Sequence, residues 1–117
     1  MLYYRIISIV SVRDLRIYSL ANELLPQIYE IQTPEIDLNR QLKRAARSIA
    51  ANISEGYARK DSSKEFKRFL RIALGSSDEV QTHLEQIQLI YKIDTHEAIE
   101  SFRDLSRQIN KTIQVWN

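Results

Sequence analysis

The polar side chains most able to do chemistry lie in one segment, SIAANISEGYARKD, at positions 48–61. Ser48, Asn52 and Glu55 stand there among small and apolar residues, and Gly56 follows them. An amide and a carboxylate so placed suit acid–base catalysis, contact with a nucleic acid, or a polar network that joins two helices. Acid–base chemistry needs a nucleophile, a metal or a glycine-rich phosphate loop, and none accompanies these residues. Because buried polar groups are mostly hydrogen-bonded, we favour the network.

The predicted network extends to the segment ALGSSDE, at positions 73–79 of the next predicted helix. A short link between the two helices makes them neighbours and brings Ser48 close to Ser76. The same register places Arg44 within reach of Glu79. The predicted structural polar network comprises Arg44, Ser48, Asn52, Glu55, Ser76 and Glu79.

The histidines give little support to an enzyme. His83 and His96 are the only two, and neither lies in an HExxH or ExxH pair that would bind zinc or a di-iron centre. The RxxxxH pattern of helical HEPN ribonucleases is absent around both. Glu79 lies four residues before His83, a spacing that allows a hydrogen bond along one helix face, and we interpret it as structural pairing. We therefore predict a non-enzymatic protein without catalytic residues, metal or cofactor.

Basic residues are concentrated in the middle of the chain. Positions 40–71 hold ten Lys or Arg residues against three acidic ones, a balance of +7, whereas the whole chain carries +2 and the rest therefore −5. Several of these cations point away from the apolar positions of their helices, so they predict a basic surface that attracts phosphate. The predicted nucleic-acid contacts are Lys43, Arg47, Lys64, Lys67, Arg68 and Arg71. The alternative is a solvated face, and Tyr57 is the only aromatic residue near the patch.

Composition predicts one helical domain. The chain has 117 residues, two glycines, two prolines and no cysteine, which favours long helices and fits a reducing, cytoplasmic compartment. Residues 1–11 are apolar but interrupted by Arg5 and too short to span a bilayer, so we interpret them as an N-terminal extension rather than an export signal or membrane anchor.

Apolar residues at helical spacing predict four helices. The first covers about residues 12–31, with a kink or break expected at Pro26. The second covers about 37–57, the third opens near Ser62 or Ser63, and the fourth opens at Asp94 or Thr95. The core positions of the third helix are predicted as Phe66, Leu70, Ala73, Ser77, Val80, Leu84, Ile87 and Tyr91.

Short connections between these helices predict an all-α fold, an antiparallel up-down four-helix bundle. The expected register sets Ala45 and Ala46 against Gly75 and Ser76, a close contact between small residues that would explain a glycine in mid-helix. Apolar residues beyond the core positions predict self-association. These are Ala46, Ile53, Tyr57, Phe69, Ile72 and Ile90.

The segment LKRAARSIAANISEGYARKDSSKEFKRFLRIALGSSDEVQTHL resembles the four-helix-bundle proteins of the 23S rRNA intervening-sequence family, and DLRIYSLANELLPQIYEI resembles their first helix. The resemblance covers about residues 14–89. It rests on Arg44-Ala45, Ser48-Ile49, Asn52-Ile53, Glu55-Gly56, Lys64-Glu65-Phe66, Phe69-Leu70, Ile72-Ala73, Gly75-Ser76 and Glu79. Pro26 and the extension at residues 1–11 depart from the family pattern.

The resemblance implies properties that spacing alone does not. Members of this family are small antiparallel bundles that assemble into homopentamers, and no enzymatic activity is established for the family. Some are encoded within rRNA genes, and relatives serve reverse transcriptases as accessory proteins that bind the polymerase and nucleic acid.

Together, residues and resemblance predict an oligomeric binding or assembly module in the cytoplasm. Its expected partners are its own copies, then RNA or DNA, or a nucleoprotein such as a reverse transcriptase, and not a membrane. The alternative is a protein–protein scaffold without affinity for nucleic acid. Salt distinguishes them, because counterion release weakens nucleic-acid binding as salt rises whereas an apolar interface scarcely responds.

Overall fold

The computed structural model describes residues 11–117, which are all-α and contain no strand. Four helical segments follow one another, and the first is divided in two. A 3₁₀ turn at Val12–Asp14 precedes α1 (Arg16–Glu23), α2 (Leu25–Tyr29), α3 (Ile36–Ala58), α4 (Ser63–Tyr91) and α5 (His96–Val115). The extension predicted at residues 1–11 lies, except for Ser11, outside the described residues.

The break predicted at Pro26 in the first helix is confirmed. The helix is interrupted at Leu24, and Pro26 lies in the first turn of α2. A proline is tolerated there because the first helical N–H groups have no partner within the helix. The break leaves α2 as a separate short helix that ends at Tyr29.

The start of α3 is held by two buried polar residues. Asn39 Oδ1 accepts hydrogen bonds from Thr33 N at 3.1 Å and from Thr33 Oγ1 at 2.7 Å, and Asn39 Nδ2 donates to Thr33 O at 2.9 Å. Both residues are buried, and these bonds satisfy polar groups that would otherwise be costly to desolvate. The loop after α2 is thereby fixed to the first turns of α3.

The start of α4 and its core positions agree with the sequence pattern. Ser62 is the N-cap, and its hydroxyl accepts from Glu65 N at 3.1 Å. The predicted core positions from Phe66 to Ile87 are all buried, while Tyr91 is half-buried. Before α5, Asp94 Oδ1 accepts from His96 N at 3.0 Å, and Thr95 Oγ1 donates to Leu84 O at 2.8 Å.

The helices pack as a bundle around one core. α3 packs most extensively against α4, α4 packs against α5, and α1 covers α3 and, to a smaller extent, α5. Near the link between α3 and α4, three aromatic rings close the core: Phe66 lies 5.8 Å from Tyr57 and 4.6 Å from Trp116 between ring centroids. Edge-to-face contacts of this kind add to the burial of the rings.

The predicted close contact at Gly75 is wrong. Gly75 is exposed, and a Cβ atom placed on it would meet no neighbouring atom of residues 11–117 within 4 Å. The neighbouring Ser76 faces α3, and because successive residues of a helix turn about 100°, Gly75 points outward. The glycine at a close approach is Gly56 instead, where a Cβ would lie 2.6 Å from Phe69 Cβ.

Within residues 11–117, none of the helices combines the length and the apolar character that a membrane crossing requires.

Candidate nucleic-acid interface

Lys43 and Arg47 lie one turn apart on the flank of α3 that faces α1 and α2. Lys43 Nζ lies 5.0 Å from the centroid of the Tyr29 ring. Arg47 lines an open groove of about 550 Å³ between α1 and α3, together with Tyr18 and Asn22. We call Lys43 and Arg47 the α3 basic surface.

Lys64, Lys67 and Arg71 form the α4 basic surface, on a different flank of the bundle. Residues seven positions apart in an α-helix are separated by nearly two full turns. Lys64, Arg71 and Asp78 therefore lie along one side of α4. Asp78 Oδ1 accepts a hydrogen bond from Ser106 Oγ of α5 at 2.9 Å, which places this side beside α5. Among residues 11–117, no acidic side chain forms an ion pair with these three cations.

Arg68 is engaged by its neighbours. Its Nε lies 3.1 Å from Glu65 Oε2, a second guanidinium nitrogen lies 3.2 Å from Glu65 Oε1, and its guanidinium carbon lies 4.5 Å from the Phe69 ring centroid. The hydrogen bonds from Arg68 lower the pKa of Glu65 below its ordinary value, and they raise the pKa of Arg68 in turn. Arg59 lies over the same ring at 5.4 Å. The guanidinium group of Arg68, which would have to bind a phosphate, is therefore already paired with Glu65.

The six predicted contact residues thus do not form one continuous patch. Two lie beside α1 and α2, three lie toward α5, and Arg68 is paired on its own helix. The physical reason is the order of the helices around the core: α1 covers α3 on one side, and α5 covers α4 on the other. Outward-pointing residues of α3 and α4 consequently face different directions.

The predicted polar network is formed only in its centre. Ser48 Oγ lies 2.7 Å from Ser76 Oγ and donates to Ala45 O at 2.8 Å, so it joins α3 to α4. Asn52 Nδ2 donates to Ser48 O at 2.8 Å within α3. These residues are half-buried, and their bonds run between α3 and α4 and along α3.

The charged members of the predicted network point elsewhere. Glu55 forms an ion pair with Arg59 at 3.2 Å on the surface of α3. Glu79 Oε2 lies 3.3 Å from His83 Nε2, the pairing that their spacing predicts. Arg44 is exposed, and in residues 11–117 it forms no hydrogen bond or ion pair with Glu79. Glu55 and Glu79 therefore pair four residues along their own helices and not across α3 and α4.

A second polar cluster, which was not predicted from the sequence, joins α4 to α5. Ser77 is fully buried; its Oγ donates to Phe102 O at 3.1 Å and lies 2.8 Å from Ser106 Oγ. Gln81 Nε2 donates to Ser106 Oγ at 3.0 Å. The sequence feature that could have predicted this cluster is a serine at helical spacing among the apolar residues of each helix, Ser77 in α4 and Ser106 in α5.

No group of three or more His, Asp or Glu side chains that could hold a metal ion occurs in the part of the chain that the structure describes.

Comparison with known proteins gives one family. A family model described as 23S rRNA-intervening sequence protein matches residues 13–115, most of the chain. A search of curated proteins gave no match. The match extends the resemblance seen at residues 14–89 through α5 and includes the segment interrupted by Pro26.

Proposed function

The chain belongs to the 23S rRNA-intervening sequence protein family, and from this premise we propose that it is a non-enzymatic binding module for nucleic acid. The observation that carries the proposal is the α4 basic surface. Lys64, Lys67 and Arg71 share one stripe of α4, and in residues 11–117 no carboxylate is paired with them. Cations that are not neutralised within the protein gain most from phosphate, because binding releases counterions.

Self-association is the second part of the proposal, with a homopentamer as the expected form. Ala46, Ile53 and Tyr57, which were expected to be surplus apolar surface, are buried within the chain. Ile72 and Ile90 of α4 remain 41% and 61% exposed, and they support an interface between copies. Repetition of the basic surfaces around a ring would turn weak phosphate contacts into strong binding.

We further propose an antiparallel up-down arrangement of the helices. The contacts Ser48–Ser76 and Thr95–Leu84 support it, since each joins residues on either side of a short link. The expected location is the cytoplasm, which the absence of cysteine fits. RNA, DNA, or a nucleoprotein such as a reverse transcriptase is the expected partner.

Removing the charge of both basic surfaces tests the proposal. Replacement of Lys43, Arg47, Lys64, Lys67, Arg68 and Arg71 by Gln together should abolish binding to duplex DNA or structured RNA, measured by fluorescence anisotropy. In the parent protein, phosphate contacts from the five cations of the two basic surfaces would lose roughly 500-fold in affinity between about 50 and 200 mM salt. The variant should keep its helicity and oligomer size. A parent that binds neither ligand at low salt would refute the nucleic-acid function.

The alternative is a protein–protein scaffold without nucleic-acid affinity. Ile72, Leu89 and Ile90 favour it, because they expose apolar area on α4. Partner binding through such a surface would persist as salt rises, and the six Gln replacements would leave it unchanged.

A further inference from the structure

The α3 basic surface has an aromatic neighbour that the sequence pattern did not predict. Tyr29 is 44% exposed at the end of α2, and Lys43 Nζ lies 5.0 Å from its ring centroid. The break at Leu24 separates α1 from α2, which ends at Tyr29. A partly exposed ring with a cation beside it is one half of a single-strand binding site, in which bases stack on aromatic rings and cations hold the backbone.

The other half is the groove along α3 that begins one turn from this ring and from Lys43, at Leu25 and Arg47. The groove has a volume of about 550 Å³, within the range of ligand pockets. It remains open because its α3 wall is lined by small residues, Ala50, Ala51, Ser54 and Ala58. Arg47 lines the end of the groove, and Lys43 lies one turn before it on α3, outside the groove and beside Tyr29.

The polar groups around the groove suit a polyanion. Tyr18 and Asn22 of α1 line the side opposite Arg47 and offer hydroxyl and amide groups for hydrogen bonds. Glu55 is the acidic residue that lines the groove, and its carboxylate is engaged by Arg59 at 3.2 Å. Arg47 forms no ion pair within residues 11–117, so its guanidinium is available to a phosphate.

We propose that the groove between α1 and α3, together with Tyr29 one turn beyond its end, binds single-stranded nucleic acid. One base stacks on the Tyr29 ring, and Lys43 and Arg47 bind the phosphates that follow. A duplex is disfavoured at this site because its base faces are already stacked inside the helix and cannot reach the ring. The inference rests on the proposed nucleic-acid function and names the class of nucleic acid and its position.

The α4 basic surface provides a contrast within the same chain. Its three cations lie on the side of α5. Phe69 of α4 is half-buried and has two guanidinium groups over its ring, those of Arg59 and Arg68, whereas Tyr29 is 44% exposed and has the single cation of Lys43 over it. It offers charge without a free ring. We assign to it the binding of phosphate backbones regardless of strandedness.

Matched variants test the assignment. Fluorescence anisotropy at low salt would measure binding of a labelled oligo(dT) of about 20 nucleotides and of a duplex of equal length. Tyr29→Leu should weaken oligo(dT) binding about 5-fold to 150-fold, the loss expected when one stacking ring is removed, and leave duplex binding unchanged. Tyr29→Phe keeps the ring and should bind as the parent does. Helicity and melting temperature of both variants check that the fold is retained.

Two charge variants locate the site. Lys43→Gln with Arg47→Gln should weaken oligo(dT) binding more than Lys67→Gln with Arg71→Gln, although both pairs remove two charges at the same spacing. Equal losses from the two pairs would overturn the position. A parent that binds the duplex while Tyr29→Leu binds oligo(dT) unchanged would overturn the inference alone, whereas a parent that binds neither ligand would overturn the proposed function with it.

Discussion

At the scale of single residues, the two glycines of the chain have opposite surroundings. Gly56 lies in α3 against α4, where a Cβ would be 2.6 Å from Phe69 Cβ and 3.2 Å from the backbone oxygen of Phe66. Neither neighbour is the end of a flexible side chain, so the two helices would have to move apart. Gly75 lies on an open face of α4 with no atom near its missing side chain. The glycine that matters for packing is therefore the one in the SIAANISEG segment.

Replacing each glycine by alanine should change stability in opposite directions. Gly56→Ala should lower the free energy of unfolding, because overpacking costs about 1–3 kcal/mol and exceeds the gain from helix propensity. Gly75→Ala should raise it by up to about 1 kcal/mol, since alanine restricts the unfolded chain and meets no obstacle here. Urea denaturation followed by circular dichroism measures both. A stabilised Gly56→Ala protein would contradict the close approach.

At the scale of the elements, two asparagines of α3 form different kinds of hydrogen bond. Asn39 is buried and binds three groups of Thr33, so it ties the preceding loop to α3. Asn52 is half-buried and bonds only one turn back, to Ser48 O. Asn39 therefore fixes where α3 begins relative to α2 and to Tyr29, while Asn52 adds little beyond its own helix.

These roles predict unequal costs of substitution. Asn39→Ala should destabilise the protein by about 1–3 kcal/mol, because Thr33 N and Thr33 O lose their buried partner. Asn52→Ala should cost no more than about 1 kcal/mol, since Ser48 O keeps its helical hydrogen bond. Thermal melting of the two variants compares them directly. If Asn52→Ala melted and assembled like the parent but lost nucleic-acid binding, the structural role of this segment would be wrong.

At the scale of the whole molecule, the bundle leaves a specific part of its apolar surface uncovered. Half of the predicted surplus residues, Ala46, Ile53 and Tyr57, are buried in the core of a single chain, and Phe69 is half-buried. Ile72 and Ile90 remain exposed on α4, as does Leu89, which was not predicted. Ile72 and Ile90 are eighteen residues apart, five full turns, so they lie on the same side of α4. A surface of this kind suits contact with another copy along the helix.

Sedimentation velocity at micromolar concentration should therefore detect an oligomer, with about five times the 13.8 kDa mass of one chain as the expected form. Ile72→Glu with Ile90→Glu should shift the protein toward the monomer, because the two charges would be desolvated in the interface. Lys67→Gln with Arg71→Gln is the control and should leave the size unchanged. A stable monomer in the parent would contradict self-association.

The sequence by itself determined the family, the all-α class and most helix limits. Heptad positions such as Leu70 and Val80, the cap at Ser62 and the break near Pro26 were predictable because they depend on residues within one or two turns of each other. The contact Ser48–Ser76 was also predictable, since a short link fixes which residues of α3 and α4 meet.

Only the tertiary structure decided which way the remaining residues face. The rotation of a helix about its axis is set by the packing of the whole core, so the local pattern could not show that Lys43 lies beside Tyr29 while Arg71 lies toward α5. It could not distinguish Gly56, at a close approach, from Gly75, in open space. The candidate site was thus predictable as a set of cations, but its division into two surfaces and its aromatic partner depend on how α1 and α5 flank the central pair of helices.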